Sequence, residues 1–308
     1  MMISGALNST LLFVYLAGVS IGLYLFTLAI YLSPQSNRRH RSFVITCITV
    51  LACALVGELC LQWYSMSISY VYFASTRLEM FAGKGAFSVA VPITAIIFVM
   101  LGQIVADGLM IWRSFHASGG SYSRVSPVIL LFIAEVGLCM TSITLNILYN
   151  LHPTLLTVRS ARRYNVIEGS SSIVTASTSI LATFFIGHRI YSSTSSDPRS
   201  RQRYARIIEI IIHSSAIYST AMLAQAICNL INTGDSNRSP ALIVVTNYLT
   251  TLSVATASIA PTLMVARLGL EQGKEVDESS ITSLTLPEDV AMQVVNFSDS
   301  RNSNPSDA

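Results

Sequence analysis

Seven apolar stretches, each long enough to cross a bilayer at about 20 residues and 1.5 Å of rise apiece, recur along most of this 308-residue chain. They fall at about 11–32, 43–66, 88–112, 127–150, 167–187, 207–231 and 242–265, with ends uncertain by roughly 2 to 4 residues. Backbone polar groups have no partner in hydrocarbon, so such stretches are restricted to helices that bond internally. With 52% hydrophobic against 11% charged residues, the composition excludes an ordinary soluble domain. Short connectors separate the stretches, which favours one bundle over several domains. The fold expected is therefore all-α, a seven-transmembrane-helix bundle over 1–270, followed by a disordered acidic tail over 271–308.

The fifth stretch, "EGSSSIVTASTSILATFF", is the least apolar, and serine and threonine can sit in a membrane helix by bonding back to it or across to a neighbour. Arginine and lysine set the orientation. If the amino end is outside, one side collects Arg38, Arg39, Arg41, Arg113, Arg124, Arg189, Arg199, Arg201, Arg203, Arg206, Arg267, Lys274 and Arg301, thirteen of the nineteen. The other side keeps Arg77, Lys84, Arg159, Arg162, Arg163 and Arg238. Positive charge favours the cytosol, so the expectation is an outer N-terminus and a cytosolic C-terminus. The first apolar run lacks a basic leader and exceeds the length of a signal-peptide core, and is read as a retained helix.

Ionisable residues inside the stretches are few: Glu58, Asp107, Glu135, Glu168, Glu209 and His213. Each needs a partner or a wet cavity, because a charge at the bilayer centre costs about 2.5 to 3.5 kcal/mol even on a lenient scale. Asp107 is placed about five residues above the inner end of the third helix, facing another helix, with Arg113 marking the interface. Arg206, Glu209 and His213 follow spacings of three and four along one face of the sixth helix. A pair between Arg113 and Glu209 would tie the inner ends of helices three and six. The competing reading pairs Arg206 with Glu209 and lets Arg113 reach lipid phosphate.

The segments "ADGLMIWRSF", "RYARIIEIIIHSSAIYS" and "IAPTLMVARLGLEQG" resemble the recurrent segments of a large group of uncharacterised seven-helix membrane proteins from mushroom-forming (basidiomycete) fungi, receptor-like in topology. The resemblance covers helices three to seven best. It implies a structural signature of Asp107, Trp112, Arg113, Arg206, Glu209, Pro261 and Arg267, and carries no assigned activity. Group members often have an aromatic residue or cysteine after the Trp-Arg pair, where this chain reads Ser114-Phe115. Pro261 removes a backbone donor and is expected to bend the seventh helix.

With the amino end outside, Glu58, Gln62, Asn146, Ser171, Thr175 and Asn247 gather in the outer halves of their helices. They are the candidate lining of an outward-facing ligand cavity, with helix-packing contacts as the rival role. Three function classes follow. An orphan receptor resembling G-protein-coupled receptors fits the topology, the basic third inner loop and the serine-rich tail, although Asp/Glu-Arg-Tyr and Asn-Pro-x-x-Tyr patterns are missing. A transporter of small solutes or lipids would need internal repeats. An enzyme is not expected, since the histidines are scattered and no Gly-x-Ser-x-Gly elbow occurs. No cofactor is expected; a retinal would need a lysine in helix seven, and both lysines fall outside the stretches. All five cysteines fall inside them, which excludes a secreted disulfide framework. The expected partners are the lipid bilayer, an unknown small ligand and a heterotrimeric G protein or other cytosolic protein, with no nucleic acid, and the expected location is the plasma membrane.

Overall fold

The computed structural model describes residues 2–32, 41–72, 88–117, 122–155, 157–193, 198–232 and 240–284. Seven helices carry nearly all of them: α1 (Met2–Leu32), α2 (Arg41–Ser67), α3 (Ala90–Ala117), α4 (Tyr122–Leu151), α5 (Val158–Ser193), α6 (Pro198–Ile231) and α7 (Pro240–Leu284). A wider π-helical turn, Ile68–Tyr72, prolongs α2, and a single 3-10 turn, Pro153–Leu155, leads from α4 towards α5. No strand occurs among the described residues.

Six of these helices are long and apolar enough to cross a membrane, and α6 adds the apolar stretch Ser215–Ile231. That helix runs antiparallel to α5 along most of its length. Asn165 Nδ2 donates to the Asn232 carbonyl at one end (3.2 Å), and Thr183 Oγ1 donates to Ser215 Oγ (2.7 Å) farther along.

Three starts are set by chemistry that hydropathy does not register. Proline opens both α6 and α7, where its missing N–H is one the helix would not use. Helix α5 begins nine residues before the expected 167. Thr157 Oγ1 accepts from the Ser160 N–H (3.2 Å) while the Thr157 N–H donates to Ser160 Oγ (2.8 Å). This reciprocal cap launches the helix ahead of Arg159, Arg162 and Arg163. Thr157→Ala is expected to destabilise this first turn by about 1 kcal/mol, read as faster amide exchange confined to residues 158–163.

Other ends also move. Helix α3 continues five residues past the expected 112, and the helical backbone of α7 continues to Leu284. The stretch 271–284, expected to be disordered, is therefore helical; the remainder of that tail lies outside the described residues.

The helices form a ring in chain order, each packed on the next, and α7 closes on α1. Helix α3 also touches α5 and α7, which places it towards the middle. In the bundle, polar side chains share the interior with apolar ones, and large apolar side chains cover the outside. Glu135, Ser142, Thr175, Thr178 and Ser179 are buried, while Leu130, Ile133, Ile180, Phe184 and Ile217 face outward. In hydrocarbon the polar group gains most from burial in protein, and the leucine loses nothing by exposure. This is the arrangement of a multi-pass membrane protein. All five cysteines are free, and Cys53 and Cys60 lie on the outer surface.

Candidate functional site in the bundle interior

A polar seam joins α4 to α5. Along α4 the positions are Glu135, Cys139, Ser142 and Asn146; along α5, in antiparallel order, they are Thr175, Ser171, Glu168 and Tyr164. Both series step four, three, four, the spacing that keeps a stripe facing a neighbouring helix. Thr175 Oγ1 donates to Glu135 Oε1 (2.8 Å), and Ser142 Oγ donates to Glu168 Oε2 (2.6 Å). Between these rungs Cys139 Sγ lies 3.7 Å from Ser171 Oγ. Tyr164 makes side-chain hydrogen bonds to Ser142 and Asn146, and its ring meets that of Tyr149 edge-on.

Asp107 enters this seam from α3. Its carboxyl group lies within interacting distance of that of Glu135, and both residues are buried in protein. Asp107 Oδ2 and Glu135 Oε2 have no hydrogen-bond partner among the described residues. Tyr218 of α6, packed with Ala176, Met222 and Ala257, lies within electrostatic reach of both carboxyls and of Cys139, and its hydroxyl has no hydrogen-bond partner among the described residues. Because α3 is longer than expected, Asp107 lies ten residues before its end, about 15 Å along the axis. Helices α3, α4, α5 and α6 thus converge on one point.

A second polar position faces α2, α3 and α7. Gln62 Nε2 donates to Glu58 Oε1 (3.2 Å), and Glu58 Oε2 is buried without a partner among the described residues. That carboxyl lines a small cavity with Leu51, Phe98, Gln103, Ala257 and Ser258, with room for about one water-sized guest. Gly57 lets the cavity wall close: a Cβ there would lie 2.7 Å from Phe98 Cζ.

Comparisons with family models, with curated proteins and with solved structures return no match. The reading therefore rests on geometry.

That geometry divides the six residues expected to line one outer cavity. Glu58 and Gln62 belong to the α2–α3–α7 face. Asn146, Ser171 and Thr175 are engaged in the α4–α5 seam, and Asn247 is half-buried on α7. The packing role describes the seam residues; only Glu58 lines the cavity described above.

Arg113, expected to mark the interface, is buried among the helices. Its Nε and Nη1 have no hydrogen-bond partner among the described residues. Beside it Trp112 stacks on Phe43 and His116, with ring centroids 5.0 and 4.5 Å apart. The side chains of Arg206 and Glu209 lie outside the described residues, whereas His213 is exposed on α6. Pro261 is buried within a helix that continues through it.

The sequence singled out Asp107 and named Glu135 without pairing them. It passed over Cys139, Tyr164, Glu168 as a seam residue, and Tyr218. The four-three-four spacing of polar residues in "EVGLCMTSITLN" and "YNVIEGSSSIVT" was the signal that finds them.

Proposed function

We propose that this chain is a receptor-like seven-helix membrane protein, an orphan of the G-protein-coupled type. In this reading a small ligand acting from the outer face shifts the helices about α3, and a cytosolic partner, a heterotrimeric G protein first among them, reads the shift. The observation that carries it is Asp107. One carboxyl on the central helix meets Glu135 of α4 inside the bundle, beside Thr175 of α5 and Tyr218 of α6. A contact of this kind gives two helix arrangements different polar satisfaction, which is what a two-state element needs. A single ring in chain order also supports this reading over a transporter built from two repeated halves. The plasma membrane is the location that goes with it.

The transporter reading has its own support. Four carboxylic side chains, Glu58, Asp107, Glu135 and Glu168, lie inside membrane-crossing helices, where acidic chains often mark ion or proton paths.

Purified protein screened for thermal shift against lipids, sterols, peptides and sugars, then tested for nucleotide exchange on a co-reconstituted Gα subunit, separates the two. Stabilisation with exchange, altered in Asp107→Asn, is the expected result. Solute flux into proteoliposomes without exchange would replace the receptor reading with the transporter one.

A further inference from the structure

Asp107 and Glu135 have a polar side and an apolar side. On the polar side the α4–α5 seam leads away from them through the rungs Cys139 with Ser171, Ser142 with Glu168 and Asn146 with Tyr164. Steps of four, three and four residues put successive rungs about 4.5 to 6 Å apart by helix rise. One water or one turning hydroxyl spans such a gap. Cys139 lies within electrostatic reach of Asp107, Glu135 and Glu168, so the series has no apolar break. It ends at Tyr164, half-buried six residues into α5 beside the exposed Arg162 and Arg163. Towards the opposite face, where α3 ends, Met110 of α3, Val125 and Val128 of α4, Ala182 and Ile186 of α5 and Met264 of α7 fill the interior. Those six side chains offer no hydroxyl, amide or ionisable group. Hydroxyls at this level, Ser179, Thr183 and Ser215, bond one another between α5 and α6.

We propose that Asp107 and Glu135 form a binding site for one proton, and that this proton exchanges along the seam with the membrane face at which α4 ends and α5 begins, and not with the opposite face. Two carboxylates ionised side by side in the bundle would repel each other and forgo hydration together. Among the described residues no basic side chain reaches either carboxyl. A proton removes one charge and supplies a donor where Asp107 Oδ2 and Glu135 Oε2 are both unpartnered. A metal ion would also compensate charge, but no group of three metal-ligating side chains occurs among the described residues. The other titratable groups about the pair are Cys139 of α4, Glu168 of α5 and Tyr218 of α6; α2 and α7, also packed on α3, bring none to either carboxyl. In the relay each hydroxyl passes on its own proton as it accepts the next, so no side chain has to travel. The apolar cluster offers no such carrier, and a bare charge inside it is costly. This site stands apart from the choice between receptor and transporter: the one would read the proton as a bias on α3, the other would use it as a coupling ion.

The test uses the full chain in nanodiscs and infrared spectroscopy, in which the C=O stretch of a protonated carboxyl stands apart from the bands of a carboxylate. A protonated-carboxyl band that titrates with pH, and that is missing from both Asp107→Asn and Glu135→Gln, is expected. In heavy water the band shifts as its proton is replaced. Ser142→Ala combined with Ser171→Ala, which removes the hydroxyls of two rungs, is expected to slow that shift by about tenfold, the rate equivalent of one lost hydrogen bond on the path. Ser215→Ala, on the way to the other face, is expected to leave the rate unchanged. No titrating band in the wild type, or one that survives in either carboxyl variant, would overturn the proton site. Exchange undiminished in the double serine variant, or slowed by Ser215→Ala, would overturn the path. Should Asp107→Asn fail to fold, Glu135→Gln decides, since it retains an acceptor for Thr175.

Discussion

Gly169→Leu is expected to lower the stability of the bundle by about 3 kcal/mol, the upper end of what overpacking costs. Gly169 lies where α5 meets α6, and a Cβ added there would meet Leu230 Cγ at 3.0 Å and the Ala226 carbonyl oxygen at 3.2 Å. A side chain can rotate away. The backbone of α6 cannot, so a branched residue at 169 must push the two helices apart. That separation reaches the Ser179–Ser215 contact (3.2 Å) and the Thr183–Ser215 bond, both buried in the same interface. Gly18, Gly22 and Gly137 have nothing within 4 Å of an added Cβ. Alanine at those positions is expected to be neutral or to gain up to about 1 kcal/mol from helix propensity. Apparent Tm in detergent across the four sites checks this, and a Gly169→Leu protein that melts with the wild type would show that α5 and α6 are not in close contact.

The same interface explains why α5 read as the weakest crossing. Hydropathy counts serine and threonine as losses, yet Gly169, Ser172, Ala176 and Ser179 are what allow a neighbour to approach, and lipid supplies no competing force between helices. The number of helices and their order were legible because the backbone must be satisfied inside hydrocarbon. Their ends were less so, since an apolar window marks where water stops and a helix continues as far as its caps permit. Thr157 with Ser160 shows this at one end of α5. Asp107 was legible as a residue needing a partner. That the partner is Glu135 depends on how deep each helix sits, and the depth follows from those unreadable ends. That Arg113 packs inside the bundle was likewise not legible in the apolar window.

Glu135→Leu is expected to cost about 2 to 4 kcal/mol, because it deprives Asp107 of its carboxyl partner and Thr175 of its acceptor while leaving Asp107 buried. Thr175 can turn to a carbonyl of its own helix, as Thr178 does with Val174 O (2.9 Å). Asp107 is 1% exposed and has no such escape. Glu135→Gln keeps both contacts, since its amide can donate to Asp107 and its carbonyl can accept from Thr175, and is expected to cost about 1 kcal/mol or less. The informative variant removes both carboxyls. Asp107→Leu with Glu135→Leu leaves no orphaned partner in the pair, so the double change should be milder than either single one, a coupling of about 2 kcal/mol in a double-mutant cycle. Unfolding in mixed micelles supplies the four values. Losses that simply add would mean that the two carboxyls do not act as a unit, and the central contact on α3 would lose its claim to be the element that distinguishes two arrangements of the helices.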